Sequence, residues 1–95
     1  MRIDIQSPHL DVTEPLELAI NEKVGKLGHF FENILDAIVY LHDRPQFKEL
    51  EIKLNVPNDT LFVREQGENF EAALDIAYDT MKRQLTRYKE RNHKK

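Results

Sequence analysis

The chemistry that this sequence offers most clearly is the binding of phosphate by arginines near its C-terminus. Arg83, Arg87 and Arg91 recur every four residues, and Lys94 follows three residues later. On a helix this spacing places all four cations on one face, because residues three and four apart are neighbours on the helix surface. A guanidinium group binds two phosphate oxygens at once, so a row of arginines on a rigid helix suits a polyanion such as a nucleic acid.

The positive charge of the chain is concentrated in its last fourteen residues. They hold seven of the 14 Lys and Arg residues and one of the 17 Asp and Glu residues, which leaves 7 and 16 for the first 81 positions. A local block of one sign predicts a partner of the opposite sign, although the net charge of the whole chain is −3. The basic residues of this segment are Lys82, Arg83, Arg87, Lys89, Arg91, Lys94 and Lys95.

Other interpretations of the basic segment compete with nucleic-acid binding. Cations at a helix C-terminus interact favourably with the helix dipole, but the dipole explains one turn and this block continues for more than three. A simple solvated surface is the second alternative, and Asp79 can pair with Arg83 four residues later to offset part of the field. A membrane surface is disfavoured, because the opposite face of this helix is needed for the core.

No residues elsewhere in the sequence have the spacing of a catalytic or metal site. The four histidines are scattered, and a strand would place His42 and Asp43 on opposite faces. The chain has no cysteine, no glycine-rich phosphate loop and no nucleophile elbow. The sequence therefore predicts a binding protein rather than an enzyme, without a metal, a cofactor or a small-molecule substrate. The histidines are His9, His29, His42 and His93.

Length and composition predict one domain over residues 1–95. Two domains would each be too small to bury a sufficient core unaided, and a hydrophobic fraction of 40% fits a globular chain. The N-terminal segment lacks the apolar region of a signal peptide, and no stretch approaches the length needed to span a bilayer. A soluble cytoplasmic protein is the expectation.

The first half of the chain is predicted to form a strand, a helix and a second strand. Residues 1–7 alternate between apolar and polar, as in a short strand. Thr13 is a candidate N-cap for a helix over residues 14–27, and Gly28 is its predicted end. The apolar, β-branched segment 34–42 predicts a buried strand.

The next segment is predicted to form a β-hairpin. Residues 49–56 alternate strictly, with charged or polar residues on one face and an apolar face on the other. Asn58 and Asp59 predict the turn because both residue types tolerate positive φ, and residues 61–65 form the returning strand. The apolar face consists of Leu50, Ile52, Leu54 and Val56.

The last element is predicted to be a long helix that begins near Asn69. Because strand 49–56 has one apolar and one charged face, the sheet is covered on one side only, and both helices lie on that side. The predicted fold is therefore α+β, with the order β-α-β-β-β-α and a four-stranded sheet. The apolar stripe of the helix consists of Phe70, Leu74, Ala77, Met81, Leu85 and Tyr88.

These features together resemble the ribosome hibernation-promoting factors, a family also called ribosome-associated inhibitors or sigma-54 modulation proteins. The first helix is similar to the family's in its Thr-Glu start at Thr13 and in its two lysines, Lys23 and Lys26. The second helix is similar over a longer signature. Its matching positions are Gly67, Asn69, Phe70, Ala72 to Asp75, Arg83 to Leu85, Arg87, Lys89 and Arg91.

The resemblance implies a fold like that of double-stranded-RNA-binding domains and a ribosomal partner. Members of this family occupy the mRNA and tRNA channel of the small subunit, block translation under stress or in stationary phase, and favour inactive ribosome dimers. Long members carry an additional C-terminal dimerisation domain; this chain resembles the short form and is expected to be a monomer off the ribosome. The implied rRNA-binding residues are Lys23, Lys26, Lys82, Arg83, Arg87, Lys89 and Arg91.

Two positions depart from the family pattern, and a rival hypothesis remains open. Glu71 stands where many members have Tyr, and Thr80 stands where many have Lys, so both make the last helix less basic. The rival is a protein-binding regulatory module that does not act on the ribosome. In that case the acidic surface would recruit a partner, and the basic segment would be merely solvated.

Overall fold

The computed structural model describes residues 1–93 and contains the six elements in the predicted order. The four strands form one sheet in the order β1-β2-β3-β4, in which β1 is parallel to β2 and the other pairs are antiparallel. The predicted α+β fold is confirmed. Its elements are β1 (Arg2–Gln6), α1 (Glu14–Phe30), β2 (Asp36–Asp43), β3 (Lys48–Val56), β4 (Asp59–Gly67) and α2 (Phe70–His93).

One core lies between the two helices and one face of the sheet. Val39, Ile52 and Val63 are direct neighbours across β2, β3 and β4, and each is at most 4% exposed. The alternate residues, such as Lys53, lie on the other face and are partly exposed. The whole apolar stripe predicted for α2 is buried against the sheet and α1, so this helix has only its outer side for a partner.

Both helices begin with a side-chain cap, and the sequence predicted the cap at Thr13. The hydroxyl of Thr13 accepts a hydrogen bond from the backbone N–H of Leu16 at 3.3 Å. The side-chain carbonyl of Asn69 accepts one from the N–H of Ala72 at 2.8 Å. Each cap satisfies one of the N–H groups that have no partner within the helix, which defines where the helix starts.

The end of α1 differs from the prediction. The helix continues through Gly28 to Phe30, and the N–H of Phe31 donates to the carbonyl of Leu27 at 2.9 Å. Gly28 does not have the positive φ of a glycine C-cap. The additional turn is held by tertiary contacts, because Phe30 and Phe31 pack against the core and the Phe30 carbonyl is contacted from α2.

The turn between β3 and β4 lies one residue earlier than predicted. Val56 pairs with Asp59, so the two-residue loop is Pro57 and Asn58, and Asp59 already belongs to β4. Asn58 has a φ of 68°, the left-handed conformation that asparagine tolerates. The proline in the preceding position fixes its own φ near the value that a tight turn needs.

Gly67 allows the end of β4 and the start of α2 to lie close together. A Cβ atom at this position would lie 2.9 Å from the backbone nitrogen of Ala73 and 3.1 Å from the Cβ of Ala72. Glycine therefore lets the first turn of α2 pass directly beside the end of the strand. The close contact between β4 and α2 fixes where the helix lies over the sheet. It therefore also fixes where the basic residues farther along the helix lie.

Candidate nucleic-acid interface

The basic part of α2 is held rigidly by the buried side of the same helix. Met81 and Leu85 are fully buried, and Tyr88 is 4% exposed. The hydroxyl of Tyr88 donates to the carbonyl of Pro57 at 2.6 Å, which ties the helix to the β3–β4 turn. The cations on this stretch of α2 are attached to a backbone that is already fixed. They therefore lose less conformational freedom on binding than cations on a mobile segment would.

Five of the seven predicted binding residues belong to α2, and they divide between its two sides. Lys82 and Lys89 face the end of α1: their ammonium groups lie 5.8 Å and 4.3 Å from the ring centroid of Phe30. The arginines lie towards β4, where Arg91 approaches Asp59 at 3.6 Å. The structure therefore gives α2 two basic flanks, one of arginines and one of lysines, as helical spacing predicts.

The arginine flank consists of Arg83, Arg87 and Arg91, all of which are exposed. Arg83 Nη2 lies 3.5 Å from the hydroxyl of Thr80, which in turn donates to Glu65 of β4 at 3.0 Å. The predicted ion pair between Asp79 and Arg83 is not among those formed within residues 1–93. The arginine flank thus follows the β4 edge of the sheet and keeps its guanidinium groups accessible.

The lysines of α1 meet the lysine side of α2. Lys23 Nζ lies 3.2 Å from the Asp75 carboxylate and 5.2 Å from the centroid of the Tyr78 ring, so it faces α2 directly. Lys26 is exposed and lies three residues after Lys23 and four before Phe30, on the same side of α1. Four of the predicted residues are therefore gathered where the two helices run side by side.

Alternating lysines and aromatic rings follow the groove between the two helices. Lys82 Nζ lies 5.8 Å from the ring centroids of both Tyr78 and Phe30, and so connects a ring of α2 with a ring of α1. An ammonium group is attracted to the face of an aromatic ring, which favours one position for an otherwise mobile side chain. We call this set the lysine–aromatic row; it consists of Lys23, Tyr78, Lys82, Phe30 and Lys89.

The sequence did not identify Phe30 and Tyr78 as functional residues. Tyr78 precedes Lys82 by four residues, a spacing at which two side chains of one helix touch. The sequence alone could therefore have indicated the contact between Tyr78 and Lys82. No sequence pattern indicated the contacts of Phe30, because it reaches Lys82 and Lys89 only through the packing of α1 on α2. The row is therefore a tertiary feature built from residues of two helices.

Two of the seven cations have a carboxylate partner within residues 1–93. The Lys23–Asp75 pair has side-chain exposures of 30% and 67%, and the Arg91–Asp59 pair has 60% and 42%. Ion pairs with such exposure contribute at most about 1 kcal/mol and are screened by salt. A phosphate group can therefore replace either carboxylate at little cost.

The predictions for Lys94 and Lys95 lie outside the described residues, as does the side chain of His93. Among the described histidines, His9 and His29 are exposed and His42 lies 3.5 Å from a carboxylate oxygen of Glu51. In the described part of the chain, no group of three or more His, Asp or Glu side chains is arranged to hold a metal ion. Over the same residues, neither helix is long and apolar enough to cross a membrane.

The open face of the sheet carries an ion-pair cluster rather than a free acidic patch. Arg64 Nε lies 3.0 Å from carboxylate oxygens of both Glu49 and Glu51, and Arg44 adds a second contact to Glu49 at 3.0 Å. The two glutamates are only 12% and 14% exposed. Their negative charge is thus largely compensated within the protein.

Comparison with known proteins places the chain in a family. Residues 3–93 match the model of the family described as Sigma 54 modulation protein / S30EA ribosomal protein. Since the match covers nearly the whole chain, this protein belongs to that family. The resemblance inferred from the sequence is thereby confirmed.

Individual relatives agree with this assignment. The chain is 28% identical to the ribosome hibernation promoting factor of Pseudomonas putida, over 96% of the chain and 89% of that protein. It is 26% identical to the ribosome hibernation promotion factor of Staphylococcus aureus, over its full length but only 52% of that protein. The chain therefore spans about half the length of the staphylococcal relative.

Two solved structures share the fold. The N-terminal domain of Thermus thermophilus Protein Y is 25% identical and superimposes with a TM-score of 0.84, over 93% of this chain and 99% of that one. A ribosomal subunit interface protein from Coxiella burnetii is 17% identical, with a TM-score of 0.89 over 95% of this chain and 99% of that one. The latter similarity concerns the fold alone.

Proposed function

We propose that this protein promotes ribosome hibernation by binding rRNA phosphates in the mRNA and tRNA channel of the small subunit. Occupation of the channel excludes mRNA and tRNA, so translation stops, and the inactive ribosomes are favoured to form dimers under stress or in stationary phase. The protein acts in the cytoplasm as a monomer when it is off the ribosome. It performs no catalysis and needs no cofactor.

The observation that carries this proposal is the gathering of cations from two helices along both flanks of α2. Arg83 and Arg87 are exposed on a helix that is anchored by its buried stripe, and Lys23 and Lys82 converge on the same ring, Tyr78. Family membership and the names of the relatives support the ribosome as the source of the phosphates.

The basic surface reads no base sequence in this proposal. Guanidinium and ammonium groups that contact phosphates set position and affinity, whereas sequence is read by contacts to base edges. Because such binding releases counterions, affinity falls steeply with salt, with a log–log slope of about −0.7 to −0.9 for each phosphate neutralised.

The rival hypothesis, an acidic surface that recruits a protein partner, has less support. Glu49 and Glu51 are the acids of β3, and both are already paired with arginines. Three of the four exposed acids of α2 (Glu71, Asp75 and Asp79) lie on the first half of the helix, Asp75 is paired with Lys23, and the fourth, Glu90, lies among the cations. Partner binding through these acids would leave the gathered cations without a role.

Co-sedimentation with purified small subunits at low and at physiological salt tests the proposal. We expect binding at low salt that weakens steeply as salt is added, together with inhibition of translation in a reconstituted system. Affinity that stays flat between the two salt concentrations would favour the protein-partner hypothesis. Sucrose-gradient profiles with and without the protein test dimer formation separately.

A matched charge control separates the basic surface from net charge. Arg2→Glu combined with Lys53→Glu changes the net charge by as much as Arg83→Glu combined with Arg87→Glu, but both substitutions lie on the open face of the sheet. We expect the open-face variant to bind small subunits like the unmodified protein. Equal loss in both variants would show that only the overall charge matters.

A further inference from the structure

A cavity of about 580 Å³ lies where the end of α2 meets the β3–β4 turn and the loop after α1. It is on the same end of the molecule as Lys89 and Arg91, but phosphate binding as proposed above makes no use of it. Its volume falls within the range of small-molecule sites. The lining residues are Phe31, Asn33, Pro57, Asn58, Tyr88, Lys89, Glu90 and Asn92.

The apolar part of the lining is held in place by contacts of its own. The rings of Phe31 and Tyr88 meet edge to face, with their centroids 5.6 Å apart. The Tyr88 hydroxyl donates its hydrogen to the carbonyl of Pro57 at 2.6 Å, so its donor is already used within the protein. The apolar wall is therefore preformed, and a ligand need not order it.

The polar part of the lining consists mainly of amides. Asn33 lies in the turn after α1. Asn58 lies in the β3–β4 turn, and its backbone has a φ of 68°. The amide nitrogen of Asn92 donates to the carbonyl of Tyr88 at 2.9 Å, which leaves its side-chain oxygen as an acceptor. Each amide side chain has both donor and acceptor atoms, a pattern that complements the edge of a nucleobase.

The charges at the cavity do not favour a phosphate group inside it. Lys89 is the cation among the described lining residues, and its ammonium group already donates to the carbonyl of Phe30 at 3.2 Å. Glu90 supplies a negative charge to the same lining. A neutral ring with N–H groups and lone pairs fits this set of partners better than an anion.

We propose that this cavity binds a single unstacked nucleobase of an RNA strand whose phosphates lie on the basic surface of α2. Proteins recognise single-stranded RNA by placing splayed bases against apolar or aromatic side chains and contacting their edges. The inference rests on the proposed function as the source of the RNA. In this proposal the cavity contacts one base, whereas the rest of the surface contacts only phosphates.

The first experiment detects the site without the ribosome. The four nucleoside 5′-monophosphates are titrated separately into the isotope-labelled protein, and the side-chain amide resonances of Asn33, Asn58 and Asn92 are followed by NMR. We expect these resonances to shift with at least one nucleotide and not with ribose 5-phosphate at the same concentration. Equal shifts with ribose 5-phosphate, or no shift with any nucleotide, would overturn the proposal.

The second experiment compares a short single-stranded RNA with an abasic chain of the same length and charge. We expect the RNA to bind about tenfold more tightly, which is the size of effect that one stacked base gives. The variant Asn33→Ala with Asn58→Gly should remove most of this preference, because glycine keeps the positive φ while both amides are lost. Asn21→Ala, an exposed site on α1, should retain it.

The outcomes separate this inference from the proposed function. If both chains bind equally and with the same salt dependence, the phosphate surface stands and the base site is wrong. If the RNA binds no more tightly than a free nucleotide and without salt dependence, the abasic chain does not bind, and nucleotides shift the amide resonances, the base site stands and the phosphate surface is wrong. A preference that persists in the double variant would place the base contact elsewhere on the protein and overturn the assignment of this cavity.

Discussion

Lys89 contacts Phe30 in two ways: its ammonium group donates to the Phe30 carbonyl at 3.2 Å and lies 4.3 Å from the centroid of the Phe30 ring. The carbonyl belongs to the last residue of α1 and has no partner within that helix. Lys89 therefore joins the C-terminal end of α1 to the last turns of α2. Its charge is already engaged within the fold, unlike those of the exposed arginines Arg83 and Arg87.

Replacement of Lys89 by methionine should lower stability more than RNA affinity. Methionine keeps the apolar stem but loses the hydrogen bond and the ring contact, so we expect unfolding in urea to become easier by about 1–2 kcal/mol. Arg87→Met, at an exposed position with the same loss of one charge, serves as the control and should leave stability nearly unchanged. If Lys89→Met weakened small-subunit binding more than Arg87→Met did, Lys89 would be a direct phosphate ligand.

The arginines of the anchored helix should matter more than the terminal residues. Arg83→Glu with Arg87→Glu removes two charge-assisted contacts and adds repulsion, so we expect the affinity for small subunits to fall by about 100-fold or more. Translational inhibition should be lost while the circular dichroism spectrum is kept, because neither side chain is in the core.

Deletion of residues 93–95 is the counterpart of this test. These residues follow Tyr88, the last buried anchor of α2 within the described chain, and we expect their removal to weaken binding only modestly. Should the deletion be the more damaging of the two changes, the basic segment would act as an electrostatic tail rather than through a rigid helix.

Tyr78 should act on RNA affinity by positioning lysines. Tyr78→Leu removes the ring shared by Lys23 and Lys82 but no charge, so we expect about a two- to fivefold loss of affinity. The slope of affinity against salt should stay the same, because the number of cations is unchanged. Tyr78→Phe keeps a ring and should bind normally, and a loss in this variant would point to the hydroxyl instead.

Alanine at two glycines should have opposite effects on stability. Gly67→Ala places a Cβ 2.9 Å from the backbone of Ala73, so we expect a loss of about 1–3 kcal/mol in the free energy of unfolding. Gly25 lies inside α1, and a Cβ at this position would meet nothing within 4 Å apart from its chain neighbours and the nearby backbone of the same helix, so Gly25→Ala should gain about 0.5–1 kcal/mol. Thermal or urea unfolding measures both, and a neutral Gly67→Ala would show that α2 can shift away from β4.

Local patterns in the sequence determined the order of the elements and the face of each that is buried. The alternation of Leu50, Ile52 and Leu54 and the stripe of α2 from Phe70 to Tyr88 both predicted the core that the structure contains. The cap at Thr13 was predictable for the same reason, since a cap involves only residues three or four apart.

Element ends were less predictable where distant residues take part. Gly28 resembles a helix stop, but α1 continues because Lys89 supports the carbonyl of Phe30 and Tyr88 packs on Phe31. The β3–β4 turn contains Pro57 as well as Asn58, and its position follows from the pairing register of the two strands. Local turn preference alone did not fix that register.

The sequence also determined which segment is basic, because charge is a property of composition. The helical spacing of Arg83 and Arg87 further placed both on an exposed side. Tertiary structure decided what each lysine does. Lys23, Lys82 and Lys89 are brought together by the packing of α1 on α2, and the contact between Lys89 and Phe30 spans 59 positions of the chain. A periodicity of three or four residues carries no information about such a pair, so its role is visible only after the helices have been packed on the sheet.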